Sequence, residues 1–266
     1  MKKKLSITVD EKVLKEVDSI VDNILIKNRS QAIEYLVKSS LGENRKAAIL
    51  SGGEERSQLI EKGVYRLTAQ VRKKRVVELA LKKLRENYFK EVFVVARHAI
   101  LTKVFEIVKE GSEQSVKVSY IEEKSSTGTA DSLRLLKGKV NSPFLVVYGD
   151  IIFNMINVEE LWKQHVKSNA VATLLLTTSA KPSEKGNVKM EGSRILEFVQ
   201  KPKHSDVHLV FSPIFVAEPQ LLDYEGSSLE YDVFPRLAEQ GLLQGHISSE
   251  KEMHVHSIKD VRRYCQ

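Results

Sequence analysis

Residues 4–41 read KLSITVDEKVLKEVDSIVDNILIKNRSQAIEYLVKSSL, and the spacing of their apolar residues changes along the stretch. From Lys4 to Val9, polar and apolar residues alternate, which is typical of a strand with one apolar face. After Asp10, a favourable N-cap, apolar residues recur at helical spacing. A second helical stripe follows Ser30, whose hydroxyl can cap a helix. The stretch predicts the order strand, helix, helix.

A unit of about 40 residues with one unpaired strand buries too little surface to be stable alone, so a second copy normally completes it. Two such strands would form an antiparallel ribbon that fits the major groove of DNA. This order resembles the ribbon-helix-helix family of DNA-binding proteins, as does the run Asn28–Ile33. We therefore expect residues 1–42 to form a DNA-binding and dimerisation domain. The alternative is a dimerisation arm that does not contact DNA.

The resemblance also implies which residues contact DNA. In the family, outward-facing strand residues read bases, and the start of the second helix holds a phosphate. The implied base-reading residues are Lys4, Ser6 and Thr8, and the implied phosphate contacts are Lys2, Lys3, Asn28, Arg29 and Ser30. The expected partners are double-stranded DNA and a second copy of the chain, with assembly beyond the homodimer left open.

Length and composition set limits on the rest. The 266 residues suffice for this unit and one larger domain, and the net charge of +7 suits a polyanionic partner. The one cysteine, Cys265, permits no internal disulfide, as expected of a protein in a reducing compartment. No signal peptide or membrane span is evident, so we expect a cytoplasmic protein with no membrane partner.

Residues 47–266 predict an α/β domain. A buried strand, Ala47–Leu50, leads into a glycine loop, and strands then alternate with helices. This alternation predicts a doubly wound, mostly parallel, Rossmann-like sheet, whose ligands bind at the carboxyl ends of the strands. Three loops would meet there: Gly52-Gly53, Thr127–Ala130 and Gly149-Asp150. The other predicted elements are helices near Arg75–Tyr88, to about Lys109 and at Ala130–Leu136, and strands Val92–Val95, Val116–Ile121 and Phe144–Tyr148.

Five landmarks follow one another between residues 47 and 264. They are Ala48–Gly53, Glu122-Glu123-Lys124 with Gly128-Thr129-Ala130, Gly149-Asp150, Gln200-Lys201-Pro202, and Asp232-Val233-Phe234-Pro235. In this order they resemble the sugar-phosphate nucleotidyltransferases, which make nucleotide-sugars from a nucleoside triphosphate and a sugar phosphate. The resemblance implies nucleotide contacts from Ser51, Gly52, Gly53, Gly128, Thr129 and Asp150, with Asp150 also a metal ligand.

The chain departs from the family at positions that carry the reaction. Attack on the α-phosphate needs positive charge and Mg²⁺ to balance the developing negative charge. In the phosphate loop, Glu55 replaces the third glycine and Ser57 the arginine, so we expect Glu55 to block and repel the phosphates. Arg66 keeps the cation of a Pro-Lys motif. His254 replaces the second metal carboxylate, and imidazole is a poor ligand for Mg²⁺.

The motifs that would bind the sugar also differ from those of the family. Gln200 replaces a glutamate, and Phe211-Ser212-Pro213 replaces Asn-Ala-Gly, which argues against sugar binding in the family's manner.

His254 and His256, two residues apart, would face the same way on a strand and could pair as ligands of a soft metal. The sequence identifies no third ligand for them.

These observations indicate a sequence-specific DNA-binding transcriptional regulator. Its second domain would be non-catalytic and would sense a nucleotide or nucleotide-sugar, or serve oligomerisation. No cofactor is expected, and Mg²⁺ only if the second domain is active. The alternative is an active sugar-phosphate nucleotidyltransferase that also binds DNA.

Overall fold

The computed structural model describes residues 6–21, 26–41, 45–125 and 127–265. They belong to two compact units, one within residues 1–43 and the other within residues 44–266. Among the described residues, no helix has the length and apolar character needed to cross a membrane.

The amino-terminal unit contains two helices, α1 (Glu11–Ser19) and α2 (Arg29–Leu41). Helix α1 begins where predicted, because the Asp10 carboxylate accepts a hydrogen bond from the backbone amide two residues later at 2.8 Å. Helix α2 begins one residue before the predicted cap, Ser30. Its capping side chain is instead Asn28, which accepts a hydrogen bond from the amide three residues later at 3.0 Å.

The strand predicted ahead of α1 is not shown. Residues 6–10 have no regular secondary structure, and Lys2, Lys3 and Lys4 lie outside the described residues. A strand requires a hydrogen-bonded neighbour, and none of the described residues supplies one here. Within residues 6–21 and 26–41 this unit thus shows two helices, and a ribbon-helix-helix arrangement is not shown.

The other residues predicted to contact DNA lie at the surface of this unit. Ser6, Thr8 and Ser30 are exposed. The Arg29 guanidinium is engaged within the unit, because its Nε and Nη2 atoms each donate to the Asp18 carboxylate at 2.7 Å. That hydrogen bond lowers the pKa of Asp18. Contacts of these residues with DNA stay predictions, and so does the homodimer.

The larger unit is built on a nine-stranded sheet with the order β10-β14-β12-β11-β13-β8-β1-β6-β7. Strands β7, β6, β1 and β8 are parallel, as predicted. The other half is mixed, because β13 runs antiparallel to β8 and β11 and β12 pair as an antiparallel hairpin. The prediction of a mostly parallel sheet thus holds for one half only.

The strands alternate their side chains between two apolar cores. In β1, Ala47 and Ile49 pack into one core, and Ala48 and Leu50 pack into the other. Both faces of this strand are buried, which explains its continuous apolar sequence. The nine strands of the main sheet are β1 (Arg45–Ser51), β6 (Phe89–Ala96), β7 (Lys117–Glu122), β8 (Phe144–Tyr148), β10 (Ala172–Thr178), β11 (Gly186–Glu191), β12 (Arg194–Gln200), β13 (Leu209–Ala217) and β14 (Leu243–Ile247).

Short strands pair outside the main sheet. They are β2 (Leu59–Glu61) with β3 (Val64–Tyr65), β4 (Gln70–Val71) with β5 (Lys74–Arg75), and β9 (Ile151–Ile152) with β15 (Met253–His254). The β9–β15 pair brings the carboxyl-terminal region beside the end of β8.

Helices cover both faces of the sheet, as the doubly wound prediction requires. Those predicted near Arg75–Tyr88, to about Lys109 and at Ala130–Leu136 are present within a few residues. The helices of this unit are α3 (Glu55–Gln58), α4 (Val76–Glu86), α5 (His98–Val108), α6 (Thr129–Arg134), α7 (Val158–Val166), α8 (Phe234–Glu239) and α9 (Ile258–Cys265).

Candidate functional site

A cavity of about 190 Å³ lies at the carboxyl ends of β1 and β8, beside the start of α6. Its position agrees with the expectation that loops after neighbouring parallel strands converge at one sheet edge. Ser51 is buried against Gly149 and is not part of the cavity lining. The lining includes the other five residues predicted to contact a nucleotide: Gly52, Gly53, Gly128, Thr129 and Asp150.

The glycine loop after β1 is held by a buried carboxylate. Glu123, at the end of β7, is fully buried and accepts a hydrogen bond from the Gly53 amide at 2.7 Å. It also accepts one from the Ser132 hydroxyl, and Arg97 Nε lies 3.6 Å away. A Cβ at Gly52 would lie 2.5 Å from the Glu123 carboxylate, so only glycine fits there. The loop is thereby fixed at the cavity edge.

Glu55 does not occupy the position that the sequence predicted. It begins the short helix α3 and is exposed, and the cavity lining does not include it. The Tyr65 hydroxyl donates a hydrogen bond to its carboxylate at 2.5 Å, which raises the pKa of Tyr65 to about 12. The structure thus gives the Glu55 carboxylate a partner outside the cavity lining, and its repulsion of phosphates stays a prediction.

The Gly128 segment packs directly on the backbone of a distant loop. A Cβ at Gly128 would lie 2.4 Å from the Ser227 carbonyl oxygen, so glycine permits this approach. Asp232 folds that loop, because its Oδ2 atom accepts hydrogen bonds from the amides of Ser227 at 2.8 Å and Ser228 at 2.9 Å. The Ser228 bond is the main cause that lowers the pKa of Asp232. The Asp-Val-Phe-Pro motif thus positions one cavity wall.

Thr129 takes part in a buried polar network behind the cavity. Its hydroxyl donates to Glu230 at 2.6 Å and accepts a hydrogen bond from the Leu229 amide at 2.9 Å. The Tyr148 hydroxyl donates to the same Glu230 carboxylate. Burial, with the negative charge of Glu230, raises the pKa of Tyr148 well above its usual value. Both side chains are engaged within the protein and serve to position the wall.

Asp150 is the acidic group at the cavity, directly after β8. Its Oδ2 atom lies 3.2 Å from Arg66 Nη1, so the cation predicted from the Pro-Lys position reaches the predicted metal ligand. Both side chains are mostly buried, at 22% exposure for Arg66 and 18% for Asp150. Positive and negative charge are therefore paired at the entrance to the site.

His254 and His256 lie beside Asp150. Their rings stack with centroids 5.1 Å apart and planes 15° apart, so they face the same way, as predicted. His256 Nδ1 lies 3.4 Å from Asp150 Oδ2, and His254 Nε2 lies 3.0 Å from Glu252 Oε1. Burial lowers the pKa of His256, although Asp150 opposes the shift.

The residues present do not fit Mg²⁺, which proteins of this kind generally use. Mg²⁺ requires oxygen ligands in octahedral geometry and binds imidazole poorly. Here the candidate ligand atoms come from one carboxylate and two imidazoles, those of Asp150, His254 and His256. Asp150 thus supplies the one carboxylate of this group, where Mg²⁺ would need several oxygen ligands.

A larger cavity, of about 320 Å³, lies between β11, β12 and the loop of residues 202–207. It shares no lining residue with the first cavity and lacks its converging strand ends. Gln200, predicted on the sugar side, has a buried side-chain oxygen without a hydrogen-bond partner among the described residues. We place the candidate site at the smaller cavity, because the loops and charged groups meet there.

Three buried glutamates that hold the walls of the site were not predicted from the sequence as site residues. Glu123, Glu230 and Glu252 are all buried, and each accepts hydrogen bonds from residues far away in the sequence. Of these, Glu123 could have been identified from the sequence, since it lies in a motif directly after a predicted strand. For the other two, partners dozens of residues distant give no local pattern.

A family model described as nucleotidyl transferase matches residues 46–253. A Sulfolobus acidocaldarius protein, named provisionally as a mannose-1-phosphate guanyltransferase, is 35% identical over 138 residues, covering 51% of this chain and 38% of its own. The Yarrowia lipolytica mannose-1-phosphate guanyltransferase is 31% identical over 144 residues, covering 51% and 39%. The chain thus spans less than half the length of these relatives.

The fold comparison agrees with the family match. A Bacillus anthracis structure with a sucrose, named provisionally as a glucose-1-phosphate thymidylyltransferase, superposes with a TM-score of 0.75 at 20% identity. The superposition covers 83% of this chain and 94% of that one. This likeness shows the α/β nucleotidyltransferase-like fold of the larger unit.

These findings overturn our main functional interpretation. The family match and the named relatives point to nucleotidyl transfer. They give no support to DNA binding or transcription regulation, and the family is one of enzymes rather than of non-catalytic proteins. The interpretation as a transcriptional regulator with a non-catalytic domain is therefore wrong, and the alternative of a sugar-phosphate nucleotidyltransferase is better supported.

Proposed function

Because the chain belongs to the nucleotidyl transferase family, we propose that it transfers a nucleotidyl group from a nucleoside triphosphate to a sugar 1-phosphate. A phosphate oxygen of the sugar phosphate attacks the α-phosphorus and forms the new P–O bond. The bond from the α-phosphorus to the α–β bridging oxygen breaks, and pyrophosphate leaves with its electron pair. The names of the relatives make GTP and mannose 1-phosphate the first substrate pair to test.

The observation that supports this proposal most is the convergence of three strand-end loops on one cavity. The loops of Gly52-Gly53, Gly128-Thr129 and Gly149-Asp150 all contribute to its lining. The glycines at positions 52 and 128 are required by close packing, so the backbone there is bare and can approach phosphate groups. A carboxyl-end cavity of this kind is the usual ligand site of such sheets.

The charge needed at the phosphates comes from Arg66. Its guanidinium lies 3.2 Å from Asp150, which lines the cavity, although Arg66 itself is not among the lining residues. A preorganised cation stabilises negative charge that develops on phosphate oxygens as pyrophosphate leaves. Arg66 therefore takes the role of the lysine in the Pro-Lys motif, and Asp150 orients it.

Product formation tests the proposal directly. The purified chain is incubated with GTP and mannose 1-phosphate, then with other triphosphates and glucose 1-phosphate, each with Mg²⁺, Mn²⁺, Co²⁺ or Zn²⁺. We expect a nucleotide-sugar and an equal amount of pyrophosphate. Asp150→Asn should lower the rate at least about a hundredfold, because it removes the carboxylate that orients Arg66 for contact with the phosphates. The matched control Asp223→Asn changes an exposed aspartate that pairs with Lys137 at the surface and should leave the rate unchanged.

Two results would contradict the proposed transfer reaction. Absence of nucleotide-sugar with every substrate pair and every ion would contradict it. So would a product that forms equally well with Asp150→Asn and with the wild-type chain.

A further inference from the structure

Three side chains that commonly bind metals meet beside the cavity. Asp150, His254 and His256 each offer a ligand atom, and these atoms lie within 4.8 Å of one another. Asp150 follows β8, whereas the histidines come from the region of β15, about a hundred residues later. The fold therefore brings to the histidine pair the third ligand that the sequence did not reveal.

Backbone pairing holds these side chains together. Strands β9 and β15 are antiparallel, with His254 opposite Ile151. The Val255 amide, between the two histidines, donates a hydrogen bond to the Asp150 carbonyl oxygen at 2.7 Å. The three candidate ligands are thus carried by adjacent, hydrogen-bonded segments, which limits how far they can move apart. Such an arrangement lowers the cost of assembling a site around an ion.

His254 is oriented as metal-binding histidines usually are. Its Nε2 atom lies 3.0 Å from Glu252, whose side chain is only 1% exposed. Glu252 is fixed in turn by the Ser212 hydroxyl at 2.6 Å and by Lys185 Nζ at 3.3 Å. A carboxylate accepts the N–H of an imidazole, so the other ring nitrogen keeps its lone pair.

That other nitrogen, Nδ1 of His254, is buried and has no hydrogen-bond partner among the described residues. A buried polar atom without a partner is costly, since it has lost its hydrogen bonds to water. A bound cation would satisfy it. Glu252 would then contact one ring nitrogen of His254 and the ion the other. This is the carboxylate–histidine–metal arrangement that fixes ring orientation at metal sites.

The chemistry of the ligands selects the class of ion. Two nitrogens and one carboxylate oxygen suit zinc and its first-row neighbours, whereas Mg²⁺ prefers oxygen ligands. We propose that Asp150, His254 and His256 form a binding site for a divalent transition-metal ion of the zinc class. The site goes beyond the proposed transfer reaction, because an ion can bind there whether or not the chain turns over substrate.

Calorimetry on the full chain, after treatment with EDTA, tests this site with Zn²⁺ as the probe. Titration in excess Mg²⁺ should show one zinc per chain. His254→Ala and His256→Ala should each weaken zinc binding at least about tenfold, since each removes a ligand. The control His98→Ala removes a histidine that is 80% exposed and should leave binding unchanged.

Cobalt gives a second readout that is independent of affinity. Co²⁺ bound through nitrogen and oxygen ligands absorbs visible light, and the bands report its coordination. We expect these bands with the wild-type chain and with His98→Ala, and their loss with His254→Ala. Zinc should displace the cobalt and remove the bands.

Glu252→Gln keeps all three ligands and tests the orientation of His254. We expect it to weaken zinc binding by about 10–100-fold, the usual effect of changing a group that orients a ligand. If a histidine variant does not fold, this variant and the cobalt spectrum of the wild-type chain decide the question. His254→Asp should reverse the preference, with weaker zinc binding and measurable Mg²⁺ binding.

Zinc that binds no better than Mg²⁺ would overturn the proposal. The same holds if His254→Ala and His256→Ala bind zinc as His98→Ala does. Because these experiments contain no nucleotide or sugar phosphate, their failure is separate from a failure of the transfer reaction.

Discussion

The side-chain carboxylate of Glu123 accepts a hydrogen bond from the Gly53 backbone amide at 2.7 Å, although 70 positions separate the two residues. Gly53 follows β1 and Glu123 follows β7, and β6 lies between these strands in the sheet. The contact therefore joins loops from non-adjacent strands at the edge of the cavity. Its loss should affect both folding and ligand binding.

Glu123→Ala should lower the free energy of unfolding by about 2–4 kcal/mol. The change removes the buried charged acceptor of the Gly53 amide and one of the acceptors of the Ser132 hydroxyl, which also bonds the Gly128 carbonyl oxygen. A buried amide left unsatisfied is costly. Urea unfolding at pH 7 measures the loss. The adjacent Glu122→Ala is the control, because that side chain is 43% exposed and pairs with the exposed His98, so we expect a change below about 0.5 kcal/mol. Equal effects of the two variants would contradict the assigned role.

Gly52→Ala should displace the Glu123 carboxylate, because the added Cβ would lie 2.5 Å from its Oε1 atom. Overpacking of this kind costs about 1–3 kcal/mol. We also expect weaker binding of GTP by calorimetry, since the glycine loop would move. Gly138→Ala is the control: its φ of +78° causes backbone strain, but no atom lies within 4 Å of its Cβ position. It should destabilise the protein without affecting GTP, and an equal loss of GTP binding would contradict the prediction.

Much of the parallel half of the sheet was predictable because three of its four strands, β1, β6 and β8, contain a short apolar run. Phe144–Tyr148 was predicted with the limits that β8 has, since the run is unbroken and both its faces are buried. The convergence of Gly52, Gly128 and Asp150 was predictable for a related reason. Parallel strands place their carboxyl ends at one edge, so order along the chain is enough.

The remainder depends on contacts that no local pattern encodes. Glu55 appeared to face the phosphates, but Tyr65, ten positions later, holds its carboxylate elsewhere. The sequence identified no third ligand for the histidine pair, whereas the pairing of β15 with β9 places Asp150 beside it. The amino-terminal pattern of alternation predicted a strand, yet alternation cannot supply the hydrogen-bonded neighbour that a strand needs.

Asp232→Asn should destabilise the chain by about 1 kcal/mol at pH 7, because a charged acceptor of the Ser227 and Ser228 amides is replaced by a neutral one. These bonds lower the pKa of Asp232 in the folded state. The carboxylate therefore contributes stability above its unfolded pKa of about 3.9, and the contribution is lost as pH falls through the lower folded pKa.

Urea unfolding between pH 7 and pH 2.5 measures whether the stabilisation by the Asp232 carboxylate is lost as the pH falls. The difference in stability between wild type and Asp232→Asn should shrink below about pH 4. The exposed Asp206→Asn serves as control and should show a small difference at every pH. A gap for Asp232→Asn that stays constant across the range would contradict the argument.

Arg66→Gln should change transfer and zinc binding in opposite directions. The guanidinium lies 3.2 Å from Asp150, and its positive charge serves the phosphates in the proposed reaction. Its removal should lower kcat/KM by about 10²–10³, the range measured when one preorganised donor is lost. The same cation competes with a metal ion for Asp150, so zinc should bind more tightly to Arg66→Gln.

Rate assays with GTP and mannose 1-phosphate, and zinc calorimetry, measure the two effects. Arg66→Lys should retain more activity than Arg66→Gln, because it keeps the charge but loses the planar fork of donors. Arg85→Gln, on the exposed face of α4, should change neither quantity. Loss of both activity and zinc binding in Arg66→Gln would indicate a structural role for Arg66. Wild-type activity in the same variant would contradict its contact with the phosphates.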